Sequence, residues 1–149
     1  MSSKLVNMIR EAVRDDIPHL VVMGLHFLRS GAYSGHLEEN PDALFEIMLR
    51  LIESDDALLL VQDDGKPVGM LGAIIYCHPL TWQVFFNEIF WWVEPDSRGD
   101  GLALEQAATE WAKQHGATKS IMVSPDDRVS RLYERRGYTK LETHYIKAI

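Results

Sequence analysis

The sequence predicts one α/β (α+β) domain of about six strands flanked by about four helices, and three observations carry that prediction. Stretches with helical apolar spacing alternate with short runs rich in Leu, Val and Ile, and turn residues stand at their junctions. No proline- or glycine-rich linker, internal repeat or low-complexity tract divides the 149 residues.

The elements follow in order. Residues 5–12 form a short strand candidate, after which Asp15-Asp16-Ile17-Pro18 opens a helix through Leu20, Val21, Leu25 and Leu28, its acids at the positive end. A loop at 30–40 leads to Pro41-Asp42 and a second helix carrying Leu44, Ile47, Met48, Leu51 and Ile52 at helical spacing. Residues 57–62 and 68–78 read as strands, joined into a hairpin by Asp63-Asp64-Gly65-Lys66-Pro67. The next strand, 82–93, carries six aromatics among its twelve residues and stops at Pro95. A helix over 102–115 points Leu104, Ala107, Ala108 and Trp111 inward and closes at Gly116. Residues 119–123 form a short buried strand. Ser124 as cap, Pro125 at the first helical position and Asp127 three after the cap then start a helix to Arg136, ended by Gly137. Residues 138–148 read as the last strand.

Composition narrows the function. Lys+Arg 15 against Asp+Glu 22 leaves a net charge of −7, which argues against a nucleic-acid coat and suits a cationic small partner better. The single cysteine, Cys77, cannot close an intrachain bridge; it reads as a core thiol in a reducing, cytoplasmic setting. The N-terminus has no signal-peptide core, and the uncharged run 68–77 is about half a membrane span, so neither export nor membrane insertion is expected. Histidines 19, 26, 36, 78, 115 and 144 show no pair at metal-ligand spacing, and no metal is expected.

The stretch that carries chemistry is Val93-Glu-Pro-Asp-Ser-Arg98-Gly99-Asp100-Gly101-Leu102-Ala103, where a strand passes into a helix through small residues. Backbone N–H groups at a helix N-terminus lack internal partners and the macrodipole is positive there, so the main chain can hold a phosphate. Gly99 and Gly101 admit close approach, Arg98 adds a charged donor and Ala103 leaves the first turn unshielded. A dinucleotide fingerprint is excluded because its third small position falls on Leu104, and no phosphate loop ending in Gly-Lys-Ser/Thr occurs.

With Arg98, Gly101 and Ala103 matching Q/R-x-x-G-x-G/A, the chain resembles the Gcn5-related N-acetyltransferases (GNAT). Leu132-Tyr133-Glu-Arg-Arg-Gly137-Tyr138 fits the family's later helix, with Asp126 standing where an asparagine is usual, seven residues before Tyr133. Met8-Ile-Arg10-Glu-Ala12 with Asp15-Asp16 is similar to the family's first strand and helix start. Phe90-Trp91-Trp92-Val93-Glu-Pro is also similar to small acetyltransferase-like proteins of phages and prophages.

The resemblance implies a mixed, mostly antiparallel sheet that splays beside a bulge, with acetyl-CoA as co-substrate. Residues 98–103 would bind its pyrophosphate and the strand end at Trp92 and Val93 its pantetheine arm, with Asp126 contacting that arm or the next turn. It implies direct acetyl transfer to an amine, either a small molecule or a protein lysine or N-terminus, with Tyr133 protonating the leaving thiolate. Glu88 is the candidate base: by alternation it shares a face with Phe86, Phe90 and Trp92, and apolar surroundings raise a carboxyl pKa. Two alternatives stand beside it, a Glu88 that points to solvent and a bulge that brings Asn87 into the cavity instead. The loop between the first two helices, with His26, Phe27, Tyr33, Ser34 and His36, is the expected acceptor wall. A homodimer is compatible with this reading. A second function class, a non-enzymatic cofactor-binding or interaction module on the same fold, stays open.

Overall fold

The computed structural model describes residues 8–99 and 102–149. In chain order it contains β1 (Met8–Glu11), α1 (Ile17–Leu28), α2 (Pro41–Glu53), β2 (Ala57–Asp63), β3 (Pro67–Cys77), β4 (Val84–Val93), α3 (Leu102–Gln114), β5 (Lys119–Ile121) and α4 (Asp127–Arg135). The sheet runs β1-β2-β3-β4-β5. Its first four strands are antiparallel and β5 lies parallel to β4, so the sheet is mixed, as expected.

Local chemistry accounts for the boundaries. Asn40 accepts the Ala43 N–H at 3.1 Å and Pro41 follows it, which starts α2. Gly116 and Gly137 take φ of 83° and 91° directly after α3 and α4, a conformation that closes a helix and suits glycine. At α4 the expected cap is displaced: Asp126, not Ser124, accepts the Val129 N–H at 2.9 Å, while the Ser124 hydroxyl donates to the Asp126 carbonyl. A carboxylate with extended backbone at 126 outcompetes the serine two residues earlier, so Pro125 lies outside the helix.

Both sheet faces are covered. Leu59, Val61, Met70 and Phe90 pack with Leu20, Met23, Met48 and Leu51 of α1 and α2, whereas Leu58, Leu60, Leu71, Phe86 and Val93 pack with Leu104 and Ala108 of α3. Two-sided burial is why 58–61 is uninterrupted Leu-Leu-Leu-Val rather than alternating.

One irregularity reorganises β4. Gly72 is opposite Phe90 but Ala73 is opposite Glu88, so Ile89 is an extra residue in the strand. Phe90 and Trp92 therefore lie on the α1 and α2 side, while Phe86 lies on the α3 side. Glu88, paired with Ala73 of the α3-side cluster, shares a face with Phe86 and not with Phe90 or Trp92, contrary to simple alternation. Gly72 makes the bulge possible: a Cβ there would lie 2.4 Å from Phe90 Cζ and 2.9 Å from Leu51 Cδ1.

Two further expectations are corrected. The sheet has five strands among the described residues, because 138–148 does not join it; residues 139–149 are all exposed and outside any element. Alternating residues alone do not make a strand without a neighbouring ladder, and the last main-chain bond tying this segment to the body is Tyr138 N–H to Tyr133 C=O at 3.0 Å. Cys77 is exposed rather than in the core, because β3 outruns the helices that cover it. Of the first strand's expected span, residues 5–7 lie outside the described residues.

Candidate active site

The site forms where two strands part. β4 pairs with β5 only at Phe85, Asn87 and the residue between them, and β5 ends at Ile121 while β4 continues to Val93. Glu88 is the first residue of β4 beyond the shared ladder. Its side chain reaches across the opening, where Oε1 accepts the Val123 N–H at 3.2 Å. The Tyr133 hydroxyl donates to the Val123 carbonyl at 3.1 Å, so both sides of one residue are held by the two groups singled out in the sequence. Tyr133 is buried with its ring 6.1 Å from that of Trp91 and 5.3 Å from that of Tyr138.

Burial sets the electrostatics. Glu88 is 4% exposed, and desolvation pushes its carboxyl up to about 7 against the opposing pull of the Val123 N–H and the Tyr133 hydroxyl. The Tyr133 phenol is driven well above its ordinary value by burial and then by the Glu88 charge, which keeps it a proton donor. Tyr33, at the end of the short 3-10 turn Gly31–Tyr33 between α1 and α2, is raised by the same two causes in the same order. Its ring packs on Phe27 at 4.8 Å, and Phe27 meets Trp92 edge-on at 6.1 Å. The Glu88 charge is thus felt at Tyr33, one of the expected wall residues in the α1–α2 loop. Asn87 pairs with β5 in the ladder and is not the residue at the opening.

At the far end of β4 the side chains brace the turn into α3. The Trp92 Nε1–H donates to Glu94 at 2.7 Å, and His26 of α1 pairs with the same carboxylate at 2.8 Å. The Arg98 guanidinium lies over the Trp92 ring at 4.8 Å, and its Nε–H donates to the Val93 carbonyl at 2.8 Å. Arg98 therefore ties the loop to the strand as well as supplying positive charge. Because the Glu94 N–H bonds the Val68 carbonyl at 2.8 Å, ladder alternation turns the main-chain groups of Val93 and Trp91 away from β3, toward the opening. The usable edge is thus Trp91 and Val93, and Trp92 contributes its ring to the brace.

Residues 98–103 are partly described. Asp100 and Gly101 lie outside the described residues. Gly99 is exposed and a Cβ there would meet no protein atom within 4 Å, so packing does not demand glycine and the space beside it is open. Leu102 and Ala103 begin the 13-residue α3, where first-turn N–H groups lack helical acceptors. Asp126 caps α4 through the Val129 N–H.

The Glu94 brace was not foreseen from the sequence, nor was the role of Val123, whose apolar side chain gives no hint that its peptide groups matter. A hollow of about 500 Å³ is lined by His19, His26, Lys66, Glu94 and Asp96 among others, but includes none of Glu88, Tyr33 and Tyr133. Among the described residues no group of three or more His, Cys, Asp or Glu is placed to hold a metal, and no helix is long and apolar enough to cross a membrane.

The fold is similar to that of acetyltransferases in solved structures. The protein AAC(6')-Iy, in complex with the bisubstrate analog CoA-S-monomethyl-acetylneamine, superposes with a TM-score of 0.73 over 97% of this chain and 98% of that one, at 18% identity. Glucosamine-6-phosphate N-acetyltransferase from Arabidopsis thaliana gives 0.73 over 96% and 98% at 15% identity. An acetyltransferase of Trypanosoma brucei gives 0.72 over 97% and 100% at 18% identity. No curated protein matches the chain. The model of the acetyltransferase (GNAT) family matches residues 23–138, and the chain belongs to that family. The resemblance read from Arg98–Ala103 and Tyr133–Tyr138 is thereby shown.

Proposed function

We propose that the chain is an acetyl-CoA-dependent N-acetyltransferase that moves the acetyl group to a primary amine in a ternary complex, with Glu88 as general base and Tyr133 as general acid. The observation that carries this reading is the pair of side chains at the opening between β4 and β5: a carboxyl that titrates near neutrality and a phenol that stays protonated, both fixed on Val123.

Acetyl-CoA supplies the activated acyl group. Gly99, Asp100, Gly101, Leu102 and Ala103 hold its pyrophosphate at the start of α3, with Arg98 adding charge, and the Val93 edge beside Trp92 aligns the pantetheine amides. Asp126 acts indirectly by capping α4, the helix that carries Tyr133. An amine of pKa about 10.4 arrives as ammonium at neutral pH, so Glu88 accepts a proton before the nitrogen attacks the acetyl carbonyl carbon. The C–N bond forms and the C–S bond breaks; Tyr133 gives its proton to the departing thiolate, and the second proton that the nitrogen sheds as it becomes the amide restores the Tyr133 phenol. A bulge leaves main-chain groups outside the ladder, and an N–H at Ile89 is suited to steady the carbonyl oxygen as negative charge develops.

The acceptor reading is a small cationic amine, taken up beside Tyr33 and Glu88 in the cytoplasm. Overall charge of −7 supports it, as do fold neighbours whose names include an aminoglycoside acetyltransferase and glucosamine-6-phosphate N-acetyltransferase. The test is calorimetric binding of acetyl-CoA followed by thiol release against a panel of polyamines, aminoglycosides, amino sugars and lysine peptides. Turnover on amines with saturable acetyl-CoA dependence is expected. Tight binding with no release on any acceptor would replace the enzyme by a cofactor-binding module.

A further inference from the structure

Three carboxylates are buried among the described residues. Glu88 is placed in the chemistry above and Asp16 pairs with Arg10 where β1 leads into α1, but Glu105, 3% exposed, has no part in either. It lies in the first turn of α3, the helix whose start is read as the seat of the diphosphate. A negative charge so near that seat opposes the anion to be held there, and a buried ion pair is seldom more stabilising than apolar side chains of the same size. Neither cofactor binding nor stability accounts for it.

What Glu105 holds is the end of α4. Its Oε1 accepts the Arg136 Nε–H at 2.9 Å, and its Oε2 accepts the Thr109 hydroxyl at 2.8 Å and the Tyr138 hydroxyl at 3.5 Å. Arg136 and Tyr138 in turn both donate their main-chain N–H to the Tyr133 carbonyl, at 2.9 and 3.0 Å. Gly137 between them, with φ of 91°, makes the turn that brings both to one acceptor. The Tyr138 ring packs on that of Tyr133 at 5.3 Å, and its hydroxyl is 3.5 Å from Ser120 Oγ of β5. One buried carboxylate thus grips, by their side chains, two residues that grip Tyr133 by their main chains. Its charge also helps to keep the Tyr133 phenol protonated, after burial, Glu88 and Tyr138.

We infer that Glu105 is a positioning residue for acetyl transfer: through Arg136 and Tyr138 it fixes the Tyr133 hydroxyl relative to the start of α3. The inference rests on the reading of Tyr133 as general acid. Acid and cofactor seat stand on different helices, and the backbones of α3 and α4 come close at few points among the described residues, so side chains must set their spacing. A general acid works only within hydrogen-bond reach of the leaving atom, and a misplacement of about 1 Å by a change away from the chemistry can cost about 100-fold. A charged acceptor suits this task because it holds three donors in fixed directions, where apolar packing alone would leave the Tyr138 hydroxyl free to turn.

Turnover of the full chain on one amine, in a cycle of E105Q, Y133F and the double variant, tests it. Glutamine keeps the shape of Glu105 and removes the charge that holds Arg136 and Tyr138. E105Q should lower kcat about 10-fold with the KM for acetyl-CoA within roughly a factor of two, and should lower kcat no further in the Y133F background. R136K, at a side chain 34% exposed, keeps the charge and loses the Nε–H donor, and it takes the place of E105Q in the cycle if that variant does not fold. Isotope-labelled tyrosine resonances add a second readout: the Tyr133 ring signal, known by its loss in Y133F, should be shifted or doubled in E105Q and R136K, with the exposed Tyr145 signal unmoved. An unchanged kcat in E105Q, a fall that persists undiminished in the Y133F background, or a change confined to the KM for acetyl-CoA overturns the inference. Parental kcat in Y133F, or no turnover on any amine, refutes the general-acid reading instead. The Tyr133 signal alone then decides: moved in E105Q it upholds the positioning, and unmoved it overturns it.

Discussion

Replacing Glu88 by Gln removes one ionisable group and almost no volume, and the structure makes opposite forecasts for activity and stability. The carboxyl is raised from its ordinary 4.5 to about 7 by burial, with the Val123 N–H and Tyr133 opposing. In the folded state it therefore holds a proton, between those two values, that the unfolded chain has released. Stability conferred by the protonated carboxyl is fully present below pH 4.5 and is lost as pH rises through about 7. The displacement corresponds to about 3 kcal/mol, the cost of keeping a carboxylate in a site that is 4% exposed. Glutamine keeps an oxygen for the Val123 N–H and carries no charge, so E88Q at pH 8 should be more stable than the parent by about 2 kcal/mol, a rise in melting temperature of roughly 5 °C. The advantage should shrink steadily between pH 7 and 5. Turnover should fall about 10²- to 10⁴-fold, and the limb of kcat/KM that rises through about pH 7 should disappear, leaving only the titration of the amine itself. Calorimetric melts at pH 5, 7 and 8 and a pH–rate profile on one acceptor provide both readouts. A variant with parental turnover, or a melting difference that does not change with pH, would refute the assignment of Glu88 as a buried, proton-accepting base.

Three further outcomes follow from particular contacts. Tyr133→Phe should lower kcat about 100-fold and leave acetyl-CoA affinity within a factor of two by calorimetry, at a stability cost of about 1 kcal/mol for the lost bond to the Val123 carbonyl. Gly72→Ala drives a Cβ to within 2.4 Å of the Phe90 ring and should cost about 1–3 kcal/mol in urea titration, with activity reduced because the bulge beside Glu88 must shift. Asp16 is held below the usual carboxylate range chiefly by Arg10, which bonds both its oxygens at 2.8 and 2.9 Å. Asp16→Asn should cost about 2 kcal/mol at pH 7, since the pair is only partly shielded. The stability of a lowered carboxyl is present above its unfolded value of 3.8 and lost as pH falls through the folded one, so the penalty should shrink progressively in melts taken at increasingly acid pH below 3.8.

What the sequence revealed about this molecule divides along a physical line. Helix starts and stops at Pro41, Gly116 and Gly137 were legible because helix-opening prolines and left-handed turns are short-range chemistry. The family motif at 98–103 and the tyrosine at 133 were legible for the same reason. Glu88 was assigned to the wrong face, because period-two counting assumes an unbroken ladder. The bulge at Ile89 depends on Gly72, seventeen residues earlier and on another strand, whose missing Cβ lets the Phe90 ring settle against it. That single packing event sends Phe90 and Trp92 to the α1 side and leaves Glu88 at the point where β4 outruns β5. The buried carboxylate is therefore a product of topology as much as of its own strand. The tail at 139–149 fails in the converse way: its pattern is a strand's, but a ladder needs a second chain segment, and none of the described residues supplies one within the monomer. Local pattern states that a segment is able to pair, while the position of a neighbouring edge decides whether it does.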